Sequence, residues 1–142
     1  MLRPAGLDDA AAIATLEAIV TPHPWSERSA QSTLSRPTTA AWVVELDGQV
    51  VGHLITTLLF ERAEVLLIAV DPERRRQGLG ERLLRHGQEH WAVNGATEAW
   101  LEVRVNNQAA RSLYERLGWT EHSVRPYYYT DGTDAAVYTL AL

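Results

Sequence analysis

The stretch VDPERRRQGLGERLL, residues 70–84, decides the fold. It leaves an apolar run, crosses three consecutive arginines and two near glycines, and enters a helical pattern. A strand that delivers its chain into a glycine turn and then a helix presents free backbone N–H groups and the positive end of the helix dipole at one point. Such a point binds an anion. Gly78 and Gly80 let the backbone approach a phosphate closely, and Arg74, Arg75 and Arg76 gather positive charge around it. Two other phosphate-binding patterns fail on spacing. A dinucleotide fingerprint needs a third glycine where the chain has Leu83, and a nucleoside-triphosphate loop needs a lysine, of which the sequence has none. A solvated basic turn whose glycines merely start a helix is the bland alternative.

Upstream, EVLLIAV (64–70) is apolar without alternation, as a central strand covered on both faces would be, and Asp71-Pro72 stops it. Before it, AWVVELDGQVVGHLITTLLF (41–60) carries Asp47-Gly48 between two β-rich runs, a two-residue hairpin turn. Nearer the start, Asp8 caps a helix bearing Ile13, Leu16, Ile19 and Val20, and Ser26 in HPWSE (23–27) caps a short second helix to about Leu34.

Downstream, Leu79, Leu83, Leu84, Gly87 and Trp91 keep helical spacing. WLEVRV (100–105) then alternates, with Leu101, Val103 and Val105 on one face and Trp100, Glu102 and Arg104 on the other. Asn106-Asn107 opens a further helix that Gly118 closes, and the tail reads as two strands around Asp131-Gly132. This order predicts an α/β (α+β) protein, one domain over 1–142, with a mixed, mostly antiparallel sheet flanked by about four helices.

Composition narrows the chemistry. A length of 142 residues with 46% hydrophobic and 22% charged content fits one globular core. The absence of cysteine removes thiol nucleophiles, thiolate metal sites and acyl-cysteine intermediates. All 13 basic residues are arginines, so a lysine Schiff base is excluded too. A net charge of -5 disfavours non-specific nucleic-acid binding, so Tyr127, Tyr128 and Tyr129 do not read as a base-stacking platform. The start lacks a signal-peptide pattern and no 18-residue apolar stretch occurs, which predicts a cytoplasmic protein with no membrane segment. His86, Glu89 and His90 spell a pattern shared with some zinc peptidases, but Glu89 falls on the far side of its helix and no third ligand is suggested; no metal is expected.

RRQGLG (75–80) resembles the Arg/Gln-x-x-Gly-x-Gly/Ala signature of the GNAT superfamily of N-acetyltransferases. IAVDP before it and LEVRVNNQAARSLYERLGW after it resemble the same superfamily in order and separation. With HPWSE and the tyrosine-rich tail, the resemblance extends over nearly the whole chain. More narrowly, these motifs together resemble the bacterial branch that acetylates a ribosomal-protein alanine.

The resemblance implies acetyl-CoA as co-substrate and direct attack by an amine in a ternary complex. It implies that the backbone of Ile68, Ala69 and Val70 holds the pantetheine arm, and that Arg75, Arg76, Gln77, Gly78, Leu79 and Gly80 hold the pyrophosphate. Glu102 becomes the general base, Tyr114 the proton donor to the departing thiolate, and Asn107 a coenzyme contact. Trp25, Tyr127 and Tyr128 border the acceptor, implied to be the N-terminus of a small-subunit ribosomal protein. Read from the residues alone, Glu102 could be a surface glutamate paired with Arg104, Tyr114 a packed aromatic and Asn107 a plain cap. Two departures concern the acceptor side. Leu67 stands where relatives commonly have a polar residue, and Thr133-Asp134 stands where many have Glu-Asp. A broader N-terminal, lysine or small-amine acetyltransferase, or an acetyl-CoA-binding module without turnover, are the alternatives.

Overall fold

The computed structural model describes residues 1–142. A seven-stranded sheet runs through the molecule in the order β1-β2-β3-β4-β5-β7-β6. Its strands are β1 (Leu2–Pro4), β2 (Thr39–Leu46), β3 (Gln49–Leu59), β4 (Arg62–Val70), β5 (Glu98–Arg104), β6 (Thr120–Arg125) and β7 (Ala135–Ala141). Every pairing is antiparallel except β4 with β5. The mixed, mostly antiparallel sheet with four α-helices is the architecture expected from the sequence.

Helices α1 (Ala10–Val20) and α2 (Glu27–Leu34) cover one face, closing a small core of Ala10, Ile13, Ala30, Val43 and Ile55. Helices α3 (Leu79–Val93) and α4 (Gln108–Arg116) cover the other, where Trp42, Leu54, Leu83, Trp91, Leu101 and Tyr138 belong to the main core. One polar chain runs through this core. The Trp91 indole donates to Thr56 Oγ1 at 3.2 Å, and Thr56 donates to the Ala40 carbonyl at 2.6 Å.

Several local expectations hold and others shift. Ser26 accepts from the Ser29 amide at 3.1 Å as the cap of α2, and Asp47 and Gly48 both take the positive φ of a tight hairpin turn. The cap of α1 is Asp9, not Asp8, because a 3-10 turn (Leu7–Asp9) precedes the helix. Asp9 spends its carboxylate on the Arg3 guanidinium, two bonds of 2.9 Å, and on the Gly6 amide. β1 has no counterpart in the sequence reading. Three residues ending in proline carry no alternation, yet suffice as an edge strand.

β4 starts earlier than the apolar run suggests and is less enclosed. Ile55 pairs with Leu67 and Thr56 with Val65, so Leu66 is a bulge. The bulge turns both Leu66 and Leu67 toward the small core under α1 and α2. Just before it, β4 parts from β5: their pairing ends at Glu64 with Trp100. Residues 66–68 are consequently half-buried and not covered on both faces. The separation leaves a wedge between two strands at the middle of the sheet.

Candidate active site

The wedge exposes one backbone edge. The Asp71 amide donates to the Val51 carbonyl at 2.8 Å, toward β3. Strand alternation therefore points the N–H and C=O of Ala69 toward β3 as well, and those of Ile68 and Val70 into the gap. The Ile68 and Val70 side chains meanwhile pack on the main core. An extended ligand lying along this edge meets the same row of donors and acceptors that a neighbouring strand would.

At the end of β4 the chain makes a 3-10 turn (Pro72–Arg74) capped by Asp71, whose carboxylate accepts from the Glu73 amide. Arg76 and Gly78 take φ of 65° and 74°. Left-handed residues alternating with right-handed or extended ones curl successive amides around a concavity that suits an anion. Gly78 is the N-cap of α3, a helix of 15 residues, so the concavity sits on a long helix dipole. Arg75, Arg76 and Gln77 are exposed beside it, while Leu79 is buried and anchors the helix start. Arg74 turns away, 4.0 Å from Asp47 on the neighbouring hairpin. Gly80 sits against Leu113 of α4, so the loop, α3 and α4 meet at one point.

Glu102 lies on β5 just past the place where β4 leaves. Its side chain projects to the face opposite α3 and α4, about a third exposed. It does not pair with Arg104, which instead reaches Asp131 at 2.8 Å. The cation beside it is Arg125 of β6, at 3.9 Å. Tyr114 lies on the other side of the wedge, buried among Trp119 and Tyr138. Burial raises its phenol well above the usual range, and the neighbouring Tyr129 raises it further. Asn107 is the N-cap of α4: its Oδ1 accepts from the Ala110 amide at 3.2 Å, and the exposed residue keeps its Nδ2 for other partners.

The acceptor-side residues divide. Trp25, in the turn between α1 and α2, is half-buried against the small core that Leu66 and Leu67 also border. Tyr127 is 81% exposed and adopts φ 54°, and Tyr128 stacks near Arg125. Both lie in the 126–134 connection, which is longer than a tight turn at Asp131-Gly132. The tyrosine turned inward is Tyr129, which the sequence reading did not single out. Burial raises its phenol above the usual range; Arg104 opposes this, and Tyr128 and Glu102 add to it. Tyr129 thus feels both Glu102 and Tyr114, and a run of three tyrosines offers no sequence signal for which one faces inward.

Elsewhere, His86 and His90 pack edge-on against Trp42, with ring centroids 5.3 and 5.1 Å away, and Glu89 is exposed on the far side of the helix. No helix is long and apolar enough to cross a membrane.

The fold thus sets a splayed parallel strand pair beside an amide-lined turn at a helix start, with a carboxylate and a phenol on opposite sides of the splay. The chain belongs to the GNAT acetyltransferase family, whose model matches residues 10–119. Over 116 residues it is 38% identical to the [ribosomal protein bS18]-alanine N-acetyltransferase of Escherichia coli K12, covering 80% of this chain and 78% of that protein. It is also 38% identical over 109 residues to an N-alpha-acetyltransferase of Sulfurisphaera tokodaii, covering 68% of this chain and 65% of that one. The crystal structure of the ribosomal-protein-S18-alanine N-acetyltransferase from Escherichia coli superposes with a TM-score of 0.92 at 34% identity, covering 99% of this chain and 92% of that one.

Proposed function

We propose that residues 1–142 act as one domain that transfers acetyl from acetyl-CoA to a protein α-amine, with the N-terminal alanine of a small-subunit ribosomal protein as acceptor. The observation that carries this is the wedge between β4 and β5, with Glu102 on one side and the glycine turn and Tyr114 on the other. The acceptor follows from the similarity to the bS18-alanine enzymes.

The free edge of Ile68 and Val70 fits an amide-bearing arm, and the turn at 75–80 fits a pyrophosphate. Acetyl-CoA supplies the activated acyl group as a thioester. The chain's residues do the rest. Glu102 accepts the proton that the amine must lose as its nitrogen bonds to the acyl carbon and the carbon–sulfur bond breaks. Tyr114 presents its hydroxyl to the departing sulfur. Its burial favours the protonated phenol, so in this environment Tyr114 is suited to donating a hydrogen bond throughout the reaction. Complete transfer of its proton would require extra stabilisation of the phenolate. Trp25 and Tyr128 border the face from which the acceptor reaches Glu102.

An α-amine suits a single carboxylate. With a pKa near 8, roughly a tenth of it is unprotonated at neutral pH, against well under a thousandth of a lysine amine near 10.4.

The test is mass spectrometry of two peptides incubated with acetyl-CoA and the protein. One begins Ala-Arg with a free α-amine, and the other is α-blocked with an internal lysine. Acetylation of the first alone is expected, and Glu102→Gln should lower its rate at least 100-fold with CoA affinity unchanged. Modification of the lysine peptide would overturn the α-amine assignment. Unaltered turnover in Glu102→Gln would remove Glu102 as base.

A further inference from the structure

Arg104 has a task separate from the acyl-transfer chemistry. It sits two residues after Glu102 on the same face of β5, yet its guanidinium is directed into the 126–134 connection. One side of the group lies over the Tyr129 ring, 4.1 Å from its centroid, and Nη1 donates to Asp131 Oδ2 at 2.8 Å. The second Asp131 oxygen accepts from the Thr133 amide at 3.0 Å. The other loop acid, Asp134, accepts from the Tyr127 amide at 2.9 Å. Both loop carboxylates are therefore engaged in bonds within the protein.

These ties hold a segment that would otherwise relax. Tyr127 is kept at φ 54°, a left-handed conformation that costs a non-glycine residue on the order of 1–2 kcal/mol. Between β6 and β7 the loop's own backbone bonds, Tyr129 to Thr133 and Gly132 to Tyr129, close it on itself without fixing it to the rest of the sheet. The backbone tie to the end of β5 is Val105 to Asp134, at one end of the segment. In its middle, Arg104 is the side chain that joins the loop to the strand carrying Glu102.

We infer that Arg104 is a positioning residue for acceptor recognition: through Tyr129 and Asp131 it fixes the 126–134 loop over Glu102, so the acceptor peptide meets a preformed wall. This deepens the proposed activity and rests on it for the identity of the acceptor. A planar guanidinium is required, because stacking on one face and donating from an edge at once is beyond an ammonium. Preforming a loop lowers the ordering cost of binding, so its loss falls on acceptor affinity.

The experiment makes Arg104→Gln, Arg104→Lys, Asp131→Asn and the Arg104→Gln/Asp131→Asn double variant in the full chain. Peptide KM is expected to rise about tenfold in each single variant, lysine included, with kcat at saturating peptide within threefold and CoA affinity unchanged. The double variant should be no more than about twofold worse than either single one, since both break one lock. Hydrogen exchange of the 126–134 amides should quicken in every variant. Additive KM effects, a kcat loss at unchanged KM, full rescue by lysine, or unchanged loop exchange would each overturn the assignment. Asp131 lies at the surface, so Asp131→Asn keeps the test open if an Arg104 variant folds poorly. The exchange readout needs no turnover: if the wild-type chain acetylates no α-amine, the acceptor assignment fails while the loop measurement still decides the lock.

Discussion

Replacing Gly87 by alanine should destabilise the protein, although alanine is the better helix former. In the interior of α3 the change is worth about 1 kcal/mol in favour of alanine. The space opposes it. A Cβ at this position would stand 2.9 Å from Leu54 Cδ2, 3.2 Å from the Trp91 ring and 3.6 Å from Trp42. The first distance is about half an ångström short of ordinary contact, and neither neighbour is free to give. Leu54 is wholly buried in the sheet surface, and Trp91 is held by its bond to Thr56 and by edge contact with Trp119. Overpacking a core of this kind costs roughly 1–3 kcal/mol, so the net loss should be about 1 kcal/mol. For a chain of this size that is a drop of a few degrees in Tm. The relaxation this geometry favours lifts α3 from the sheet, and the glycine turn sits at its N-terminus, about 13 Å away at 1.5 Å per residue. CoA affinity should therefore weaken severalfold in the same variant. Urea unfolding followed by tryptophan fluorescence, with CoA titration alongside, measures both. A Gly87→Ala protein equal or superior in stability to wild type would refute the close-packing argument.

Other perturbations isolate single physical terms. Gly78→Ala meets no atom within 4 Å but must hold φ 74°, so it should lose about 1 kcal/mol by strain alone and weaken CoA binding; unchanged values in unfolding and titration would contradict this. Because burial raises the Tyr114 pKa, the unfolded chain loses that proton first, near pH 10. Stability present below pH 10 should then fall as pH rises beyond it, by up to about 1.4 kcal/mol per unit for this residue. Denaturant unfolding from pH 9 to 11 should show a shallower fall in Tyr114→Phe. The Arg3 fork lowers the Asp9 pKa, so its stabilisation is present above the unfolded value near 3.9 and is lost as pH falls below it. Asp9→Asn should cost about 1 kcal/mol at pH 7, with the gap to wild type closing in acid unfolding scans.

Local chemistry made much of this architecture readable. Ser26 before Glu27, Asp47-Gly48 and the glycine turn each state their geometry within a few residues, because a cap or a positive φ restricts residue type. What escaped was set by partners distant in sequence. β1 exists because β2 offers it an edge. The turn from β3 to β4 falls at Phe60-Glu61, with Phe60 at φ 56°, a place where no residue-type rule puts a phenylalanine. At the candidate site, the alternation of WLEVRV separated Glu102 from the core correctly. It offered Arg104 as the neighbouring cation where the structure has Arg125, because which arginine comes near depends on how β6 and β7 return. Tyr129 was hidden for the same reason.

On the proposed function, the wedge also explains how one loop of arginines and one distant glutamate can serve the same site. A hydrogen-bonded sheet separates its two faces completely, and here each face has its own helices and its own core. The glycine turn, α3 and Tyr114 lie on one side, while Glu102, Arg125 and the 126–134 loop lie on the other. Only where β4 and β5 part, beyond Glu64 and Trp100, can a ligand reach from the first set to the second without breaking a ladder. The Leu66 bulge that bends β4 beside this parting therefore does more than adjust packing. It aims the free edge of Ile68 and Val70 along the opening and sets Leu67 on the face that carries Glu102. In the proposed reaction, a long donor entering from the helix side and an amine arriving from the other would meet in this opening, where the β4–β5 ladder has ended. On that geometry, filling the wedge should impair donor binding and acceptor turnover together, whereas changes to the 126–134 loop should touch the acceptor alone.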